Sequence, residues 1–537
     1  MQGSFFGLNI AARGLTTAQR NLDVVSHNLS NVNTPGFTRQ KAKQVASNPL
    51  LSFDRTGMIG TGSEVALIQR VRDEYLDYKF WSESVFFGEW DAKRILLSDV
   101  EAAFNEPSDG GFTKILNEYF NAMQELSKDP SAPATRALIK EKGVAVARYF
   151  NNLALRFEKL QHDINQNVSV KVDQLNSYAT QISQLNKQIY TLEVDGSHAN
   201  DLRDRREYLV DNLSKLVNIE ANEIVVGKLP GGRDDKHFVV SVGGKPIVNH
   251  FELTKLTVHP RDSKVNEEDI ENLYHITWED GSKVNINSGE LKGYLDVRDG
   301  NSGINGSPSF KGIPHYINKL NNFVRTFAMA LNEGYCDNNS NGSIEPEEDF
   351  FGHADGYSLN SAEGDPPSGV RFFTMTGDDG NPLNSNDFIF GAGTIAEIES
   401  KYKSITARNF CVSADIIADI NLISTSDQPE QKGNINVLTS MLKMRNNSHM
   451  FSEGSPEDYM KSLVATLGVD SQQAVKYYDN LNTIVKQIDN RRLSISGVSV
   501  DEEMAGMIKF QHAYMAAAKM INLMDELYDV LINRVGI

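Results

Sequence analysis

The sequence predicts an α+β multidomain protein. Its long α-helical axial core, made of coiled-coil-like terminal helices plus a helical hairpin, carries inserted small β domains. Three observations predict this class. The 537 residues exceed what one hydrophobic core supports and imply about three or four structural units. Apolar residues recur at helical steps near both ends and again mid-chain. Beyond Val217 the period changes to two, and Gly243-Gly244 and Asp280-Gly281 separate the alternating runs.

Leu8, Ala11, Leu15, Ala18, Leu22, Val25 and Leu29 alternate steps of 3 and 4, which is the heptad seam of a long amphipathic helix. The helix ends at Asn33-Thr34-Pro35-Gly36, where proline followed by glycine suits a type II turn. A helical pattern runs from about residue 82 to 218, with breaks at Pro107 to Gly111 and Asp129 to Pro133. Val168, Val172, Leu175, Ala179, Ile182, Leu185, Ile189 and Leu192 predict one arm of an antiparallel hairpin reversing at Asp195-Gly196-Ser197, with Leu202 to Leu216 as the other. The run Phe238 to Val242 and the alternating Tyr274, Ile276 and Trp278, resumed at Val284 and Ile286, predict strands. A helix from His315 to Gly334 follows. Residues 337 to 400 then hold thirteen acidic groups against Arg371 alone, so this segment is expected as a solvated, surface-exposed β module with strands at Arg371 to Thr376 and Asp387 to Phe390. Helices resume near Asp415 and continue over Val437 to Asn446, Ser455 to Leu467 and Ser471 to Leu493. The last helix carries a second stripe: Met504, Met507, Gln511, Tyr514, Ala518, Ile521, Met524, Tyr528, Leu531 and Val535.

Charge distinguishes the two ends. Residues 1 to 50 carry a net charge of plus 4 and residues 500 to 537 a net of minus 3, which favours pairing of the two terminal helices with each other. Over the whole chain, 53 basic and 71 acidic residues leave minus 18, a balance that repels nucleic acid and anionic lipid. No apolar stretch approaches the roughly 20 residues of a membrane span, so neither nucleic acid nor membrane is an expected partner. The start, MQGSFFGLNIAARG, lacks the basic and continuous apolar regions of an ordinary secretory signal. Cys336 and Cys411 cannot make a disulfide framework, so stability is expected from packing.

Nothing nominates a catalytic centre, and a non-enzyme without a cofactor is expected. The eleven histidines include no pair at helical spacing, and nucleophile-elbow, phosphate-loop and dinucleotide motifs are missing from the sequence. One stretch has chemistry of its own. Asp337, Asn339 and Asn341, with Gly342 at the sixth place and Glu348 at the twelfth, follow the spacing of a calcium loop of the EF-hand kind. The outgoing helix of such a loop is missing and Pro346 is unusual in it, so a plain polar turn is the competing reading.

The run Ser26-His27-Asn28-Leu29-Ser30-Asn31-Val32-Asn33-Thr34-Pro35-Gly36-Phe37-Thr38-Arg39 resembles the N-terminal signature of bacterial flagellar axial proteins. Together with Gly7 to Leu15, Asn200 to Arg206, Ser288 to Asp296 and Gly497 to Ile537, it makes the whole chain similar to the hook-associated protein 1 family. The resemblance implies a structural subunit of the hook-filament junction that polymerises on the hook tip and allows filament growth. It implies a tubular homo-oligomer whose neighbours are hook protein and the second junction protein, hook-associated protein 3. It also implies an export chaperone on the C-terminal helix and an extracellular position reached by type III flagellar export. On this reading residues 1–35 with 497–537 form an inner layer and residues 36–219 with 415–496 a helical core. Residues 220–300 form a β domain, 301–336 a connecting helix and 337–414 an acidic β-rich outer module. Leu8, Leu15, Leu22, Val25 and Leu29, with Met504, Met507, Ile521, Met524, Tyr528 and Leu531, are the expected assembly contacts. The competing readings are a hook or rod protein, which shares Asn31 to Gly36, an extracellular calcium-binding adhesive module, and a cytoplasmic coiled-coil scaffold.

Overall fold

A computed structural model describes residues 6–51, 57–104, 111–229, 232–336, 345–346, 351–389 and 395–530. Helix α1 (Phe6–Ser30) leads into a two-stranded antiparallel ribbon of Gln40–Ala46 and Ser63–Arg70. The helical body follows as α2 (Glu74–Phe104), α3 (Phe112–Lys128), α4 (Pro133–Glu193) and α5 (Asn200–Leu216). Helix α2 begins before residue 82 because Asp73 accepts from the Tyr75 backbone N–H and Glu74 and Asp77 occupy the first turn, favourable chemistry at a helix N-terminus. With 61 residues, α4 is about 90 Å long. Its stripe from Val168 to Ile189 is buried as the periodicity requires, whereas Leu192 is exposed. The chain reverses where Gly196 takes a positive φ and Asp195 accepts from the Ser197 N–H.

The β unit is a four-stranded antiparallel sheet in sequence order, Ile219–Lys228, Asp234–Val242, Lys245–Asn249 and Glu252–Leu253, beside a ladder of Leu256–Pro260 with Tyr274–Trp278. Two expectations need correction here. The turn at Asp280-Gly281 forms, but Tyr274–Trp278 takes Leu256–Pro260 as its partner, and only Lys283 bridges back, to Thr277. Val284 and Ile286 satisfy their alternation by packing on the core without a strand. The stretch to residue 300 also contains a helix, α6 (Glu290–Asp299), which packs on α2. The end of α5 closes on the same place. A Cβ on Gly88 of α2 would lie 2.1 Å from the Lys215 carbonyl oxygen of α5 and 3.3 Å from the Glu290 backbone nitrogen of α6.

Helix α7 (Ile313–Glu333) runs through the larger core, ending at Gly334 in the left-handed conformation. Phe150 stacks on Phe323, and Phe323 stacks in turn on Phe451. The acidic segment differs from its expectation in two ways. Phe373–Met375 does pair with Phe410–Val412, but residues 385–388 form a short helix, α8 (Ser385–Phe388), instead of a strand, because Asn384 caps it by accepting from the Asp387 N–H. Nor is the segment only a surface feature. Phe372, Phe373, Phe388 and Phe410 belong to the same core as α3, α4 and α7, while Glu363, Asp365, Asp378, Asp379 and Asp387 face solvent. Its one basic residue, Arg371, is buried and pairs with Glu333 at 2.5 Å.

Short helices α9 (Ile395–Tyr402), α10 (Ala414–Ala418) and α11 (Asn436–Lys443) lead to α12 (Pro456–Ser496) and α13 (Val500–Asp529). The two runs expected between 455 and 493 are one helix, α12, started by the reciprocal Ser455–Asp458 capping box and lying along α2. Gly468 does not break it, since a single glycine costs only about 1 kcal/mol in a helix interior. No atom lies within 4 Å of where its Cβ would be, so the two helical glycines separate backbone propensity from packing. Gly468→Ala should raise the thermal midpoint, by up to about 1 kcal/mol of stability. Gly88→Ala should lower it, because the methyl group meets fixed backbone. Calorimetry of the two purified variants checks the opposite signs; a common sign would refute the packing described for α2 and α6.

Candidate assembly interface

Helices α1 and α13 lie side by side and antiparallel. Met524 covers Gly7, Ala517 sits 3.9 Å from the Cβ position of Gly14, and Val25 sits 3.7 Å from that of Gly506. Small residues therefore mark the closest approach. On α1 the buried members of the heptad seam are Ala11, Ala18 and Val25, and the flanking Leu8, Leu15, Leu22 and Leu29 are half-buried. On α13, Met507, Ile521, Met524 and Tyr528 are half-buried, but Met504 is 52% exposed. Leu531 lies outside the described residues. So do Asp337, Asn339, Asn341 and Glu348, the expected calcium ligands. Among the described residues no group of three or more histidine, cysteine or acidic side chains could hold a metal ion.

A second buried face of α1, made of Thr17, Asn21, Val24 and Asn28, was not evident from the apolar pattern. It meets the ribbon. The Thr17 hydroxyl donates to the Ser63 carbonyl at 2.9 Å. The Asn28 amide replaces a strand partner for Gln40: its oxygen accepts from the Gln40 N–H and its nitrogen donates to the Gln40 carbonyl, both at 2.9 Å. Asn28 also donates to buried Glu503 of α13, and Arg39 pairs with Glu503 and Glu502 at 2.7 Å each. The signature run is thus a three-way clamp between α1, the ribbon and the start of α13. Its turn has Thr34 accepting from the Phe37 N–H, with Gly36 at φ 77°, and a Cβ on Gly36 would press on Tyr208 at 2.8 Å.

An ionic knot joins this layer to the helical body. Asp204 of α5 accepts from the Thr38 N–H at 2.8 Å and from Arg70 at 2.8 Å. Glu207, one turn further along α5, receives two hydrogen bonds from Arg70 at 2.9 Å each and pairs with Arg72 at 2.8 Å. Arg72 also meets Asp77 of α2 at 2.7 Å, and Arg492 of α12 bridges Asp77 and Asp211 at 2.9 and 2.8 Å. Trp81 donates to Asp211 at 2.6 Å. The run Asn200 to Arg206 therefore opens the helix on which four other elements converge. Burial opposes ionisation of Glu207, yet Arg72 and Arg70 outweigh it and hold the carboxyl down to about 2.

Helices α1 and α13, from opposite ends of the sequence, share one layer clamped to a helical body, and the comparisons place this arrangement among the axial proteins of the bacterial flagellum. Residues 97–351 match the flagellar hook-associated protein FlgK helical domain; residues 8–38 match the flagella basal body rod protein family and residues 490–534 the flagellar basal body rod FlgEFG protein C-terminal family. The chain is 30% identical to the flagellar hook-associated protein 1 of Bacillus subtilis, over all of this chain and 99% of that one. It is 23% identical to that of Escherichia coli, over 98% and 99%. A solved structure of the flagellar hook junction protein FlgK from Burkholderia pseudomallei shares the fold, with a TM-score of 0.54 over 78% of this chain and 100% of that one at 12% identity. The chain belongs to the flagellar hook-associated protein 1 family. The rod families match only its ends, so the hook or rod reading is dropped.

The pKa of Glu207 sets an expectation for acid. Its folded value lies below the ordinary 4.5, so the unfolded chain takes up a proton first as pH falls. The stabilisation is complete above pH 4.5 and is lost between about 4.5 and about 2, on the order of 3 kcal/mol in all. Denaturant unfolding at a series of pH values should show Glu207→Gln less stable than the parent at neutral pH and less sensitive to pH in that window. Parallel pH curves for the two proteins would contradict this role.

Proposed function

We propose that the chain, a structural subunit of the bacterial flagellum at the hook-filament junction, assembles on the hook tip through α1 and α13 and so allows the filament to grow. The observation that carries the mechanism is the incomplete burial of α13. Glu503 is its one fully buried described residue, while Met504, Ile508, Met515, Leu523, Leu527 and Val530 are exposed. Such an apolar helix surface needs a neighbour. The inner layer, residues 1–35 with 497–537, gains that neighbour when hook protein and adjacent subunits supply it. Hook-associated protein 3 continues the axis beyond this subunit, and an export chaperone covers the C-terminal helix until the unfolded chain leaves the cell by type III flagellar export. The subunit carries no catalytic step in this account.

Val25→Asp tests the reading. The carboxylate falls in the α1–α13 seam, where burial without a partner costs several kcal/mol. In flagellated cells it should give hooks that carry no junction subunit and no filament, whereas exposed Asp378→Ala should assemble and swim normally. Normal incorporation of Val25→Asp on isolated hooks would refute assembly through the terminal pair.

A further inference from the structure

Two helices of the body each carry an acid and a lysine one turn apart, Glu89 and Lys93 on α2 and Lys292 and Asp296 on α6, and the four side chains meet where the helices touch. Lys93 Nζ lies 2.6 Å from Glu89 Oε1 and 2.7 Å from Asp296 Oδ2, and the other Asp296 oxygen, Oδ1, lies 2.6 Å from Lys292 Nζ. We propose that Lys93 and Asp296 condense into an isopeptide bond that joins α2 to α6, with Glu89 carrying the proton.

Three observations separate this contact from an ordinary ion pair. The first is exclusion of water. Lys93 and Asp296 are 4% and 5% exposed, and the rings of Trp90 and Phe310 have their centres 5.0 and 4.5 Å from Lys93 Nζ. Bulk water drives amide formation backwards, and a covered site removes that opposition. The second is fixed position. A Cβ on Gly293 of α6 would lie 2.7 Å from the Glu89 carbonyl oxygen and 2.9 Å from the Ala92 Cβ, so the two backbones touch directly beside the reacting pair. Geometry held in this way turns a bimolecular condensation into a unimolecular step. The third is the complete set of groups: an amine, an acid in contact with it, a second carboxylate on the amine and a second cation on the acid.

The step balances without any further reagent. A proton passes from the Lys93 ammonium to Asp296 Oδ2 along their contact, which leaves a neutral amine and a carboxylic acid, with Glu89 as one anion and Lys292 as one cation. Nζ then attacks Cγ, and the carbonyl electron pair moves onto Oδ1, where Lys292 faces the new negative charge. Glu89 takes a proton from Nζ and delivers it to the Oδ2 hydroxyl. The Cγ–Oδ2 bond breaks, water leaves, and the Cγ–Oδ1 double bond re-forms. One C–N bond is made and one C–O bond is broken, nothing is oxidised or reduced, and Glu89 and Lys292 end as they began. Each chain reacts once, so this is self-modification and not turnover. Lys93 and Asp296 are distant in sequence, so the bond forms only after folding has brought α2 and α6 together.

Mass spectrometry of the full purified chain tests this. After a week folded at neutral pH, the parental chain, denatured for measurement, should be lighter than its sequence by one water, and protease digestion should yield one branched peptide that holds both Lys93 and Asp296. Lys93→Met and Asp296→Ala should keep the full mass. Glu89→Gln, which preserves the size of the side chain, should slow the loss of water by at least about a hundredfold. An unchanged parental mass with the two peptides separate would overturn the bond, and that measurement needs no variant to fold. Loss of water that persists in Lys93→Met would overturn it as well, because the water would then come from elsewhere. A parental rate in Glu89→Gln would overturn the part given to that carboxylate. None of these readouts depends on assembly at the hook, so the reading of α1 and α13 stands or falls separately.

Discussion

The structure depends on the guanidinium and carboxylate knot at the start of α5. The ribbon reaches it with Arg70, the segment beyond the ribbon with Arg72 and α12 with Arg492; these close on Asp204, Glu207 and Asp211, and Arg72 and Arg492 also hold Asp77 of α2. These groups are largely buried, so net stabilisation from the pairs is limited by the cost of removing charge from water. Direction is their stronger contribution. A planar guanidinium that makes two parallel bonds to one carboxylate fixes angle as well as distance, as Arg70 does with Glu207. An apolar contact of equal area would let the terminal layer pivot against the body; this one holds it at one orientation.

That orientation is passed to the terminal helices through backbone. The Asp204 carboxylate receives the Thr38 N–H, Arg39 donates its own N–H to the Ser496 carbonyl at the end of α12, and its side chain holds the start of α13. Asn28 fastens α1 to the same point from the other side. Both chain ends are therefore referred to one spot on the body although they are separated by almost the whole sequence. The angle at which α1 and α13 leave the body is set by the polar groups at that spot, apart from the apolar seam between the two helices.

The apolar stripe of α1, the hairpin at Gly196 and the register of α4 were legible in the sequence because periodicity reports burial wherever a helix rests on one surface. Within that seam Ala11, Ala18 and Val25 are the buried members, because α13 approaches at Gly506 and Ala517 and leaves room only for small side chains, a distinction that periodicity alone does not make. The polar face of α1 was invisible to the pattern. Thr17 and Asn28 are buried because the ribbon offers backbone partners, and no local signal announces a partner that is itself defined by tertiary folding. The same holds for Arg39 and Glu503, which are 464 residues apart, and for the run Asn200 to Arg206, whose partners lie on distant elements. The acidic segment misled in one respect. Its charge reports the solvent face faithfully, while the buried face is carried by isolated phenylalanines too widely spaced to form a period.

The body and the terminal layer divide the two kinds of contact between them. The body has its own aromatic core, including the stack of Phe150, Phe323 and Phe451. The terminal layer differs: α13 is clamped at Glu503 by charge and otherwise rests on α1 along one narrow seam. Charged clamps at a fixed point specify where the layer sits, and the exposed methionines and leucines of α13 leave apolar surface that one chain does not bury.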